Sequence, residues 1–547
     1  MTREGMQFSG RFTHGFCPET GKKADLMFAQ HMLAVLKTDG MMATVMPHGV
    51  LFRGGEEKKI RESFIKNDHL EAVIGLPPNL FYGTGIPACI LIMRPVGAKP
   101  AERQGKVLFI NADAEYYAGR AQNYLRPEHI EKITWVFEKF ESFPGYSAVV
   151  STEELADNDY NCNIRRYADN APPPEPQDVR AHISGGIPKA EVEAKRHLLV
   201  AHGFDPTRIL VEHRSVDYLD FVPAITERGQ IKTFIESDTG IQEQEGKLYS
   251  VFAAWWQLHA RGLSELPKTK KVMELRAEFL SSFVDSLETV GLLDRFKVAG
   301  VVASWWDEVK YELRTLSESD FGGLVDSWVD TIRDALEQDD EDKKNQPVFD
   351  PLNHKLVVRL MPNYLEEIAE AEAAIAELEQ QKEAFERGEE AEAEEGEATE
   401  EDSEQVNFAK ELDTRLKTLK NSIKEPKKEI KILKKTPLLN GDKIVELEAE
   451  VESIEAEIAE IERQLEPYKE IKKQLAEAKA KLRTLKNELV KRLLSARAAL
   501  TDEECQGLVL AIFKDGLIAE LERYVIAHRQ QANAQSARFA NAAVENW

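Results

Sequence analysis

The chain has 547 residues, enough for roughly two to four domains with ordinary hydrophobic cores. Hydrophobic residues make up 42% of it, which indicates a globular portion, while 31% charged residues favour long exposed helices as well. Its four cysteines are far apart and form no C-x-x-C pair, which argues for a reducing compartment and against a structural zinc site. The sequence shows no apolar run of membrane-spanning length and no signal peptide, so a cytoplasmic location and no membrane contact are expected.

The net charge of −25 is distributed unevenly along the chain. Residues 1–170 contain 20 Lys and Arg against 21 Asp and Glu, a net of −1, so residues 171–547 carry the other −24. A nearly neutral segment can still present a local basic surface, whereas the acidic remainder suits contacts with protein or water better than contacts with phosphate. The charge therefore allows nucleic-acid binding only in the first 170 residues.

Residues 24–112 alternate predicted helices and strands. Apolar residues at helical spacing predict a helix over residues 24–40, and a second, more polar helix follows the glycine pair Gly54 and Gly55. The apolar runs of strand length are MMATVM, LEAVIG, ACILIM and KVLFINA. Continuous apolar strands between helices predict an α/β sheet covered on both faces, in a domain over residues 1–115.

The later segments differ in composition. Residues 116–170 are predicted to be a mixed connector ending in NDYNCNIRRY, and the proline-rich NAPPPEPQD after it predicts a domain boundary. Residues 171–345 are predicted to form a mostly helical domain. It contains two Trp-Trp pairs, which either mark an internal repeat or reflect a shared preference for the core.

Residues 346–500 carry the clearest periodic signal in the chain. Apolar residues keep a 4-3 spacing from Ile444 to Leu489, and a similar stripe begins at Leu365, which predicts a long coiled coil or helical hairpin. The run 386–404 is too charged to bury anything and predicts an acidic break between the two arms. Residues 501–547 are predicted to be a C-terminal helical tail.

The first candidate for chemistry is MPHGVLFRGG at residues 46–55, where a strand runs into a Pro-His-Gly turn before a helix. Open α/β sheets bind ligands at the carboxyl ends of their strands. A plain turn explains the same residues and is preferred on the residues alone, with His48 as a hydrogen-bonded turn residue and Arg53 as a surface charge.

The second candidate is LPPNLFYGTGIP at residues 76–87, a predicted loop that carries two adjacent large aromatic rings. Gly83 and Gly85 permit unusual backbone angles, but a lone G-x-G before a strand is not a dinucleotide fingerprint. Phe81 and Tyr82 either cap the sheet, which residue type alone slightly favours, or stack on a nucleic-acid base. Stacking of this kind is worth roughly 1–3 kcal/mol per base.

The third candidate is NDYNCNIRRY at residues 158–167, which combines amides, tyrosines and two arginines. Arginine contacts phosphate and guanine edges in nucleic-acid complexes. A polar linker with asparagine-capped turns explains the segment equally well.

Together these segments carry a resemblance to a known family. KADLMFAQHML, LKTDGMMATVMPHGVLFRGGEEKKIRESFI, LEAVIGLPPNLFYGTGIPACILIM, KVLFINA and NDYNCNIRRY resemble, in order, the modification (M) subunit of type I restriction-modification systems. Members of that family are S-adenosylmethionine-dependent DNA adenine N6-methyltransferases. The resemblance covers residues 11–170, and the Trp-Trp region resembles the extension of longer members.

The resemblance implies a partial class I methyltransferase (Rossmann-like) sheet, of which the chain begins partway through. In the family a glycine-rich cofactor loop follows the first strand and an Asn-Pro-Pro-Phe tetrad follows the fourth, and neither motif is in this sequence. LPPN at residues 76–79 has its prolines before the asparagine and does not substitute. We therefore expect no turnover by the chain alone, an unpaired sheet edge, and either a truncated or mis-started reading frame or the downstream half of a split enzyme.

The resemblance also implies roles for individual residues. Phe81 matches the aromatic residue that stacks on the target adenine after its extrusion from the duplex, and Tyr82 takes that role if the register differs by one. The residues placed around the base are Gly83, Thr84, Gly85 and Pro87. The residues placed near the cofactor are Asp25, Pro47 and His48, and no metal is expected.

The leading prediction is the C-terminal portion of a site-specific DNA adenine N6-methyltransferase that uses S-adenosylmethionine only when the upstream half is supplied. The expected partners are DNA, a specificity subunit, a restriction subunit and the missing N-terminal methyltransferase half. The helical arms are the expected contacts to the specificity subunit. The alternative is a non-catalytic coiled-coil scaffold that carries a relic methyltransferase fold.

Overall fold

A computed structural model describes residue 4 and residues 7–19, 23–171, 186–213, 215–337, 349–387, 407–435 and 437–542. The chain divides into two compact units, Met1–Asp320 with Phe513–Trp547, and Phe321–Ile512. The predicted acidic break lies almost wholly outside the described residues, as does most of the proline-rich segment. None of the described helices is long and apolar enough to cross a membrane.

A five-stranded mixed sheet forms the centre of the first unit. Its first four strands are β1 (Met42–Pro47), β2 (Leu70–Gly75), β3 (Ala88–Met93) and β4 (Lys106–Asn111). A short hairpin of β5 (Tyr117–Ala118) and β6 (Asn123–Tyr124) precedes the fifth strand, β7 (Ser147–Ser151). The order across the sheet is β1-β3-β2-β4-β7.

The strand directions bring three carboxyl ends to one edge of this sheet. β3 runs antiparallel to both β1 and β2, β2 and β4 are parallel, and β7 is antiparallel to β4. β1, β2 and β4 therefore point the same way, and their carboxyl ends lie at the same edge of the sheet. β7 comes from residues 116–170, so the predicted connector contributes a strand to the sheet.

Helices cover both faces of the sheet. On one face α1 (Asp25–Ala34) and α2 (Glu56–Lys66) bury Leu26, Ile60 and Phe64 against the strands. On the other face α3 (Pro127–Lys139) buries Ile133 and Val136. A short helix, α4 (Thr152–Asp157), follows β7 and buries Leu155 in the core on the face of α1 and α2. The predicted fold class, an α/β sheet followed by a largely helical remainder, is confirmed, although α1 ends before the predicted Gly40.

The outer edge of β1 is the part of the sheet that the described residues leave uncovered. β1 pairs with β3 on one side and with no described strand on the other. Every second residue of the strand is exposed, namely Ala43, Val45 and Pro47. Phe28 in α1 and Val35 directly after α1, which precede β1 in the chain, are exposed as well. An exposed apolar edge strand is a ready template for pairing with another chain segment.

The remaining elements are mostly helical. The strands β8 (Ile187–Pro188), β9 (Leu210–Glu212) and β10 (Tyr218–Phe221) form a small sheet in the order β8-β10-β9. The helices, in chain order, are α5 (Lys189–Ala201), α6 (Arg228–Glu236), α7 (Thr239–Thr269), α8 (Val272–Leu287), α9 (Arg295–Glu318), α10 (Phe321–Glu337), α11 (Lys355–Leu360), α12 (Pro362–Arg387), α13 (Phe408–Ser422), α14 (Lys424–Leu433), α15 (Pro437–Asn487), α16 (Leu489–Ala498) and α17 (Asp502–Ala542).

The Trp-Trp pairs lie in the helical core of the first unit. Trp305 is fully buried, stacks on Phe279, and donates its indole N–H to the carbonyl of Phe513 at 3.0 Å. Trp255 is buried too and donates its indole N–H to the hydroxyl of Ser282 at 3.0 Å. Both pairs are therefore part of the core, and the buried indole N–H groups of Trp255 and Trp305 are hydrogen-bonded.

A glycine sets the distance between the sheet domain and these helices. A Cβ at Gly300 in α9 would lie 2.7 Å from the Cβ of Glu128 in α3, and 2.5 Å from the hydroxyl of Tyr524. That hydroxyl donates to the Glu128 carboxylate at 2.6 Å. The close approach of α9 to α3 thus requires a residue without a side chain at position 300.

Two histidines form a buried polar pair in the same unit. The Nδ1 atoms of His202 and His528 are 2.7 Å apart, and Nε2 of His202 lies 2.7 Å from Glu245. Arg529 pairs with the same carboxylate at 2.5 Å. Burial lowers the pKa of His528 to about 4 and also lowers the pKa of His202, so both rings stay neutral at pH 7.

The second unit is built on the long helix α15. α12 lies antiparallel to the end of α15 and to α16, since the ion pairs Glu367–Arg492, Glu372–Lys486 and Glu379–Lys479 run in opposite chain directions. α13 and α14 pack antiparallel on the first half of α15. Most residues of the predicted heptad stripe are buried there, namely Ile444, Val451, Ile461, Leu465, Leu475 and Leu489.

Gly300→Ala is expected to destabilise the protein, because the new methyl group overlaps the backbone-anchored Cβ of Glu128 and forces α9 away from α3. Overpacking of this kind costs about 1–3 kcal/mol. The matched control is Gly246→Ala in α7, where a Cβ meets nothing within 4 Å and the gain in helix propensity is about 0.5–1 kcal/mol. Thermal unfolding that shifts both variants in the same direction would contradict this account.

Stability is expected to fall as the pH drops from about 6.5 towards 4. The unfolded His528 binds its proton near the ordinary pKa of 6.5, whereas the folded ring resists it until about pH 4. The unfolded state therefore binds more protons in this window, at a cost to stability of about 1.4 kcal/mol per pH unit for one ring.

The measurement is the melting temperature at pH 7.5 and pH 5 for the unmodified chain and for His528→Asn. Asparagine keeps a hydrogen-bond donor near the position of Nδ1 but cannot titrate, so the pH dependence should become shallower. His197→Asn, at an exposed histidine in α5, is the control and should leave the dependence unaltered. Equal pH dependence in all three proteins would refute the assignment.

Candidate functional site

A cleft lies where the carboxyl ends of β1, β2 and β4 meet. Its volume is about 700 Å³, within the range of about 300–1,000 Å³ that is usual for small-molecule sites. His48 follows β1, Pro78 follows β2, Asn111 ends β4, and Pro87 immediately precedes β3. The other lining residues are Asp113, Ala114, Tyr116, Asn163, Ile164, Arg165, Asn170 and Ala171.

His48 presents an unused hydrogen-bonding atom at this cleft. Burial is the largest influence on the ring and lowers the pKa of His48, while a hydrogen bond to the backbone of Ala88 opposes it. The buried Nε2 atom has no hydrogen-bond partner within the described part of the chain. A neutral imidazole has one donor and one acceptor nitrogen, so this buried atom keeps an unmet hydrogen-bonding capacity.

The polar wall of the cleft is organised around Asp113. Its carboxylate accepts hydrogen bonds from Arg165 at 2.7 Å and from the side-chain amide of Asn170. The ion pair raises the pKa of Arg165 further above its ordinary value. Asn111 donates to the carbonyl of Ala168 at 2.9 Å, which fixes the same returning segment to the end of β4.

A buried arginine joins the two sequence segments that form this wall. The guanidinium of Arg61 in α2 donates to the carbonyls of Val50 at 2.9 Å and Tyr160 at 2.7 Å. The backbone N–H of Cys162 donates to the carbonyl of Leu51 at 2.8 Å. These bonds hold NDYNCNIRRY against the turn after β1, so two of the three sequence candidates share one site.

The aromatic loop, residues 76–87, crosses the same edge of the sheet. It leaves β2 and returns as β3, with the N–H of Leu76 bonded to the carbonyl of Ala88 at 2.9 Å. Gly83 has φ of 76°, a left-handed conformation that favours glycine, and the hydroxyl of Thr84 accepts from the N–H of Ile86 at 3.1 Å. Phe81 is 38% exposed and Tyr82 88% exposed, so neither ring is sealed inside the protein.

The hairpin of β5 and β6 braces this loop. The N–H of Asn123 donates to the carbonyl of Asn79, and its side-chain amide donates to the carbonyl of Pro78, both at 2.8 Å. The loop tip that carries Phe81 is therefore fixed at its base and exposed at its end.

The other residues proposed from the sequence lie at different places. Gly83, Thr84 and Gly85 form the exposed tip of the loop, and Pro87 lines the cleft. Pro47 ends β1 and is exposed next to His48. Asp25 begins α1 and lies 3.8 Å from Arg53, outside the cleft lining, so the structure does not bring it together with the others.

The cleft can hold a flat polar ring. Pro78, Pro87 and Ile164 supply apolar walls, while His48 and Asn163 supply hydrogen-bonding groups. Among the described residues no group of three His, Cys, Asp or Glu side chains is placed to hold a metal ion. The arrangement suits binding and orientation of a heterocyclic ring.

Sequence reasoning missed Asp113, Tyr116 and Asn170 as site residues. Asp113 and Tyr116 directly follow an apolar strand run, and the position after a strand end is a usable signal. Arg61 and Asn170 give no such signal, because Arg61 joins Val50 to Tyr160, 99 positions away from it, and Asn170 bonds to Asp113, 57 positions away.

Comparisons with known proteins agree with the resemblance seen in the sequence. Residues 3–175 match the N-6 DNA Methylase family model. The MjaVII type I restriction enzyme methylase subunit of Methanocaldococcus jannaschii is 39% identical over 172 residues, 31% of this chain and 29% of that protein. The MpnII type I methylase subunit of Mycoplasma pneumoniae is 30% identical over 158 residues, 29% of this chain and 28% of that protein.

A solved structure gives a similar result. The type I restriction-modification methyltransferase subunit of Streptococcus thermophilus is 38% identical, with 30% of this chain and 34% of that chain covered and a TM-score of 0.28. The chain thus spans less than a third of the length of the curated relatives named above. The first third of the chain is similar in sequence to type I N6-adenine methylase subunits, and the stated resemblance is confirmed.

Proposed function

We propose that this chain provides the base-binding portion of a site-specific DNA adenine N6-methyltransferase of a type I restriction-modification system. The observation that carries the proposal is the exposed ring of Phe81 on the aromatic loop, whose Pro78 and Pro87 line the strand-end cleft, in a segment similar to N-6 DNA methylases. A flat ring that stacks on Phe81 would remove its exposed apolar surface from water, and an adenine is such a ring.

Base extrusion explains why the ring is exposed before DNA binds. The adenine amino group is paired inside the duplex, so the enzyme must flip the nucleotide out and compensate for its lost stacking. Phe81 replaces a neighbouring base, and Tyr82 extends the same surface into solvent. His48, Pro78 and Pro87 then border the space that the extruded ring enters.

The residues present do not by themselves make an S-adenosylmethionine site. The sequence has neither the glycine-rich loop nor the Asn-Pro-Pro-Phe tetrad of the family it resembles. The carboxylate among the described lining residues, Asp113, accepts hydrogen bonds from Arg165 and Asn170 and so serves the polar wall of the cleft. Cofactor binding therefore depends on residues from elsewhere, and this chain's own contribution is to bind and orient the base.

We propose that the cofactor-binding residues belong to an N-terminal methyltransferase half whose sheet continues from the open edge of β1. The exposed Ala43, Val45 and Pro47 offer an apolar face and a free strand edge to that half. Pairing there would extend the sheet past β1, and it would bring the cofactor loop of the added half to the same edge as the cleft.

The partners we propose are DNA, a specificity subunit and a restriction subunit. Sequence choice would lie with the specificity subunit, and the helical arms of the second unit, residues 362–500, would contact it. Three large apolar residues on the described parts of these arms are exposed, Ile432 in α14, Val445 in α15 and Leu494 in α16. Exposed apolar positions on paired helices suit packing against further helices.

Phe81→Ala is expected to slow methylation without weakening cofactor binding. The assay combines this chain with a fragment that carries the glycine-rich and Asn-Pro-Pro-Phe motifs, and follows methyl transfer to adenine. Loss of one stacked ring costs about 1–3 kcal/mol, equivalent to about 5–150-fold in turnover. Val96→Ala, at an exposed apolar residue beyond the other end of β3, is the control and should keep the full rate.

Unchanged turnover in Phe81→Ala would remove Phe81 from this role, and a loss confined to Tyr82→Ala would transfer the role to Tyr82. No methylation by the combined fragments would favour the scaffold alternative over the enzyme.

The double variant Ile432→Glu with Val445→Glu is expected to reduce co-purification with a co-expressed type I specificity subunit by tenfold or more. A tenfold loss of affinity corresponds to about 1.4 kcal/mol of binding free energy. The physical reason is that two carboxylates are then buried without partners in the contact. Leu258→Glu, at an exposed leucine of α7, is the control. Equal recovery of all variants would assign the arms another role.

A further inference from the structure

The hairpin that braces the aromatic loop presents its own polar and aromatic side chains. It comprises residues 116–126, and we call it the aromatic hairpin. Tyr117 and Tyr124 are directly opposite each other across the two strands and are 48% and 45% exposed. Side chains of such a cross-strand pair lie on the same face of the ladder, so both rings and both hydroxyls face the same way.

The charge of this region differs from that of the chain as a whole. The segment YYAGRAQNYLRP, residues 116–127, contains Arg120 and Arg126 and no carboxylate, in a protein of net charge −25. The neighbouring aromatic loop, residues 76–87, contains no carboxylate either. The two segments, neither of which contains a carboxylate, are in contact because Asn123 ties them together through two hydrogen bonds of 2.8 Å.

The turn of the hairpin sets Arg120 in an exposed position. The N–H of Gly119 donates to the carbonyl of Gln122 at 3.0 Å, and a Cβ at Gly119 would lie 2.4 Å from the ring of Tyr124. Arg120 is exposed and makes no ion pair within the part of the chain that the structure describes. Arg126 has its guanidinium 3.6 Å from the centre of the Tyr117 ring, which holds that ring in place.

We propose that the aromatic hairpin is a second DNA contact, which grips the sugar–phosphate backbone beside the extruded nucleotide. Arg120 neutralises a phosphate, and the hydroxyls of Tyr117 and Tyr124 donate to phosphate oxygens. Contacts of this kind fix the position of the protein on the duplex and carry no sequence information. The inference rests on the proposed function, since it requires that DNA lies across the cleft.

The test is DNA binding by the full chain, measured by fluorescence anisotropy on a labelled duplex across a series of salt concentrations. Each neutralised phosphate contributes about −0.9 to the slope of log K against log salt. Arg120→Gln should therefore make the slope shallower by about one, and weaken binding about fivefold near 150 mM salt. Arg120→Lys keeps the charge and should keep the slope.

Further variants separate the contribution of the tyrosine hydroxyls to DNA binding from that of the Arg120 charge. Tyr117→Phe with Tyr124→Phe keeps both rings and removes both hydroxyls, so binding should weaken at an unaltered slope. Arg261→Gln removes the same charge from a distant exposed position in α7 and should change neither quantity. Each variant is compared on duplexes of different sequence, and the losses should be equal among them.

The outcomes distinguish the hairpin from the proposed function. DNA binding by the unmodified chain with the same slope in Arg120→Gln would overturn the hairpin contact and leave the base-binding role intact. Full affinity in the double Tyr→Phe variant would likewise overturn the assignment of the two hydroxyls. Absence of any DNA binding by the unmodified chain would overturn both proposals.

Discussion

The site depends on where one strand is inserted. β3 lies between β1 and β2 and runs against both, so the chain that leaves β2 must turn back at once into the adjacent slot. The loop between them is therefore confined to the edge where β1, β2 and β4 end. Because ligands of open α/β sheets bind at that edge, the insertion brings Pro78 and Pro87, near the two ends of the aromatic loop, into the lining of the cleft. Without it the same twelve residues would form an ordinary surface turn.

Much of the sheet could be predicted from the sequence. The runs LEAVIG, ACILIM and KVLFIN are continuous and apolar, and all three are strands buried in the sheet. The strand order could not be read from these runs, since a fully apolar strand fits any central position of a sheet. β7 was also missed: SAVVS is short and lies within a polar segment, and its pairing with β4 is a long-range contact. The helical arms could be predicted from the sequence, because the 4-3 spacing of apolar residues is a local property of the sequence.

The candidate site could be predicted only in part, because several of its contacts join residues that are far apart in the sequence. Phe81 and His48 stand next to recognisable strand ends, and their sequence context identified them. The polar wall depends on Arg61, whose guanidinium joins residues near positions 50 and 160 from within α2. A lone arginine in a charged helix gives no sign of this, since most such side chains are solvated. The position of the aromatic hairpin next to the aromatic loop depends on the hydrogen bonds of Asn123, which the sequence does not reveal. The roles assigned to Phe81, Tyr82 and the loop glycines rest on this geometry together with the family resemblance.

We propose that an adenine outside the base stack lies against the Phe81 ring, beside the strand-end cleft. The most direct measurement is a crystal structure of the chain bound to a duplex in which one adenine faces an abasic site, since that adenine is the least costly to extrude. The account predicts the adenine ring stacked on Phe81, with its edge towards His48 and the duplex backbone along the aromatic hairpin. An adenine that stays within the helix, with the loop free in solvent and the DNA bound elsewhere, would contradict it.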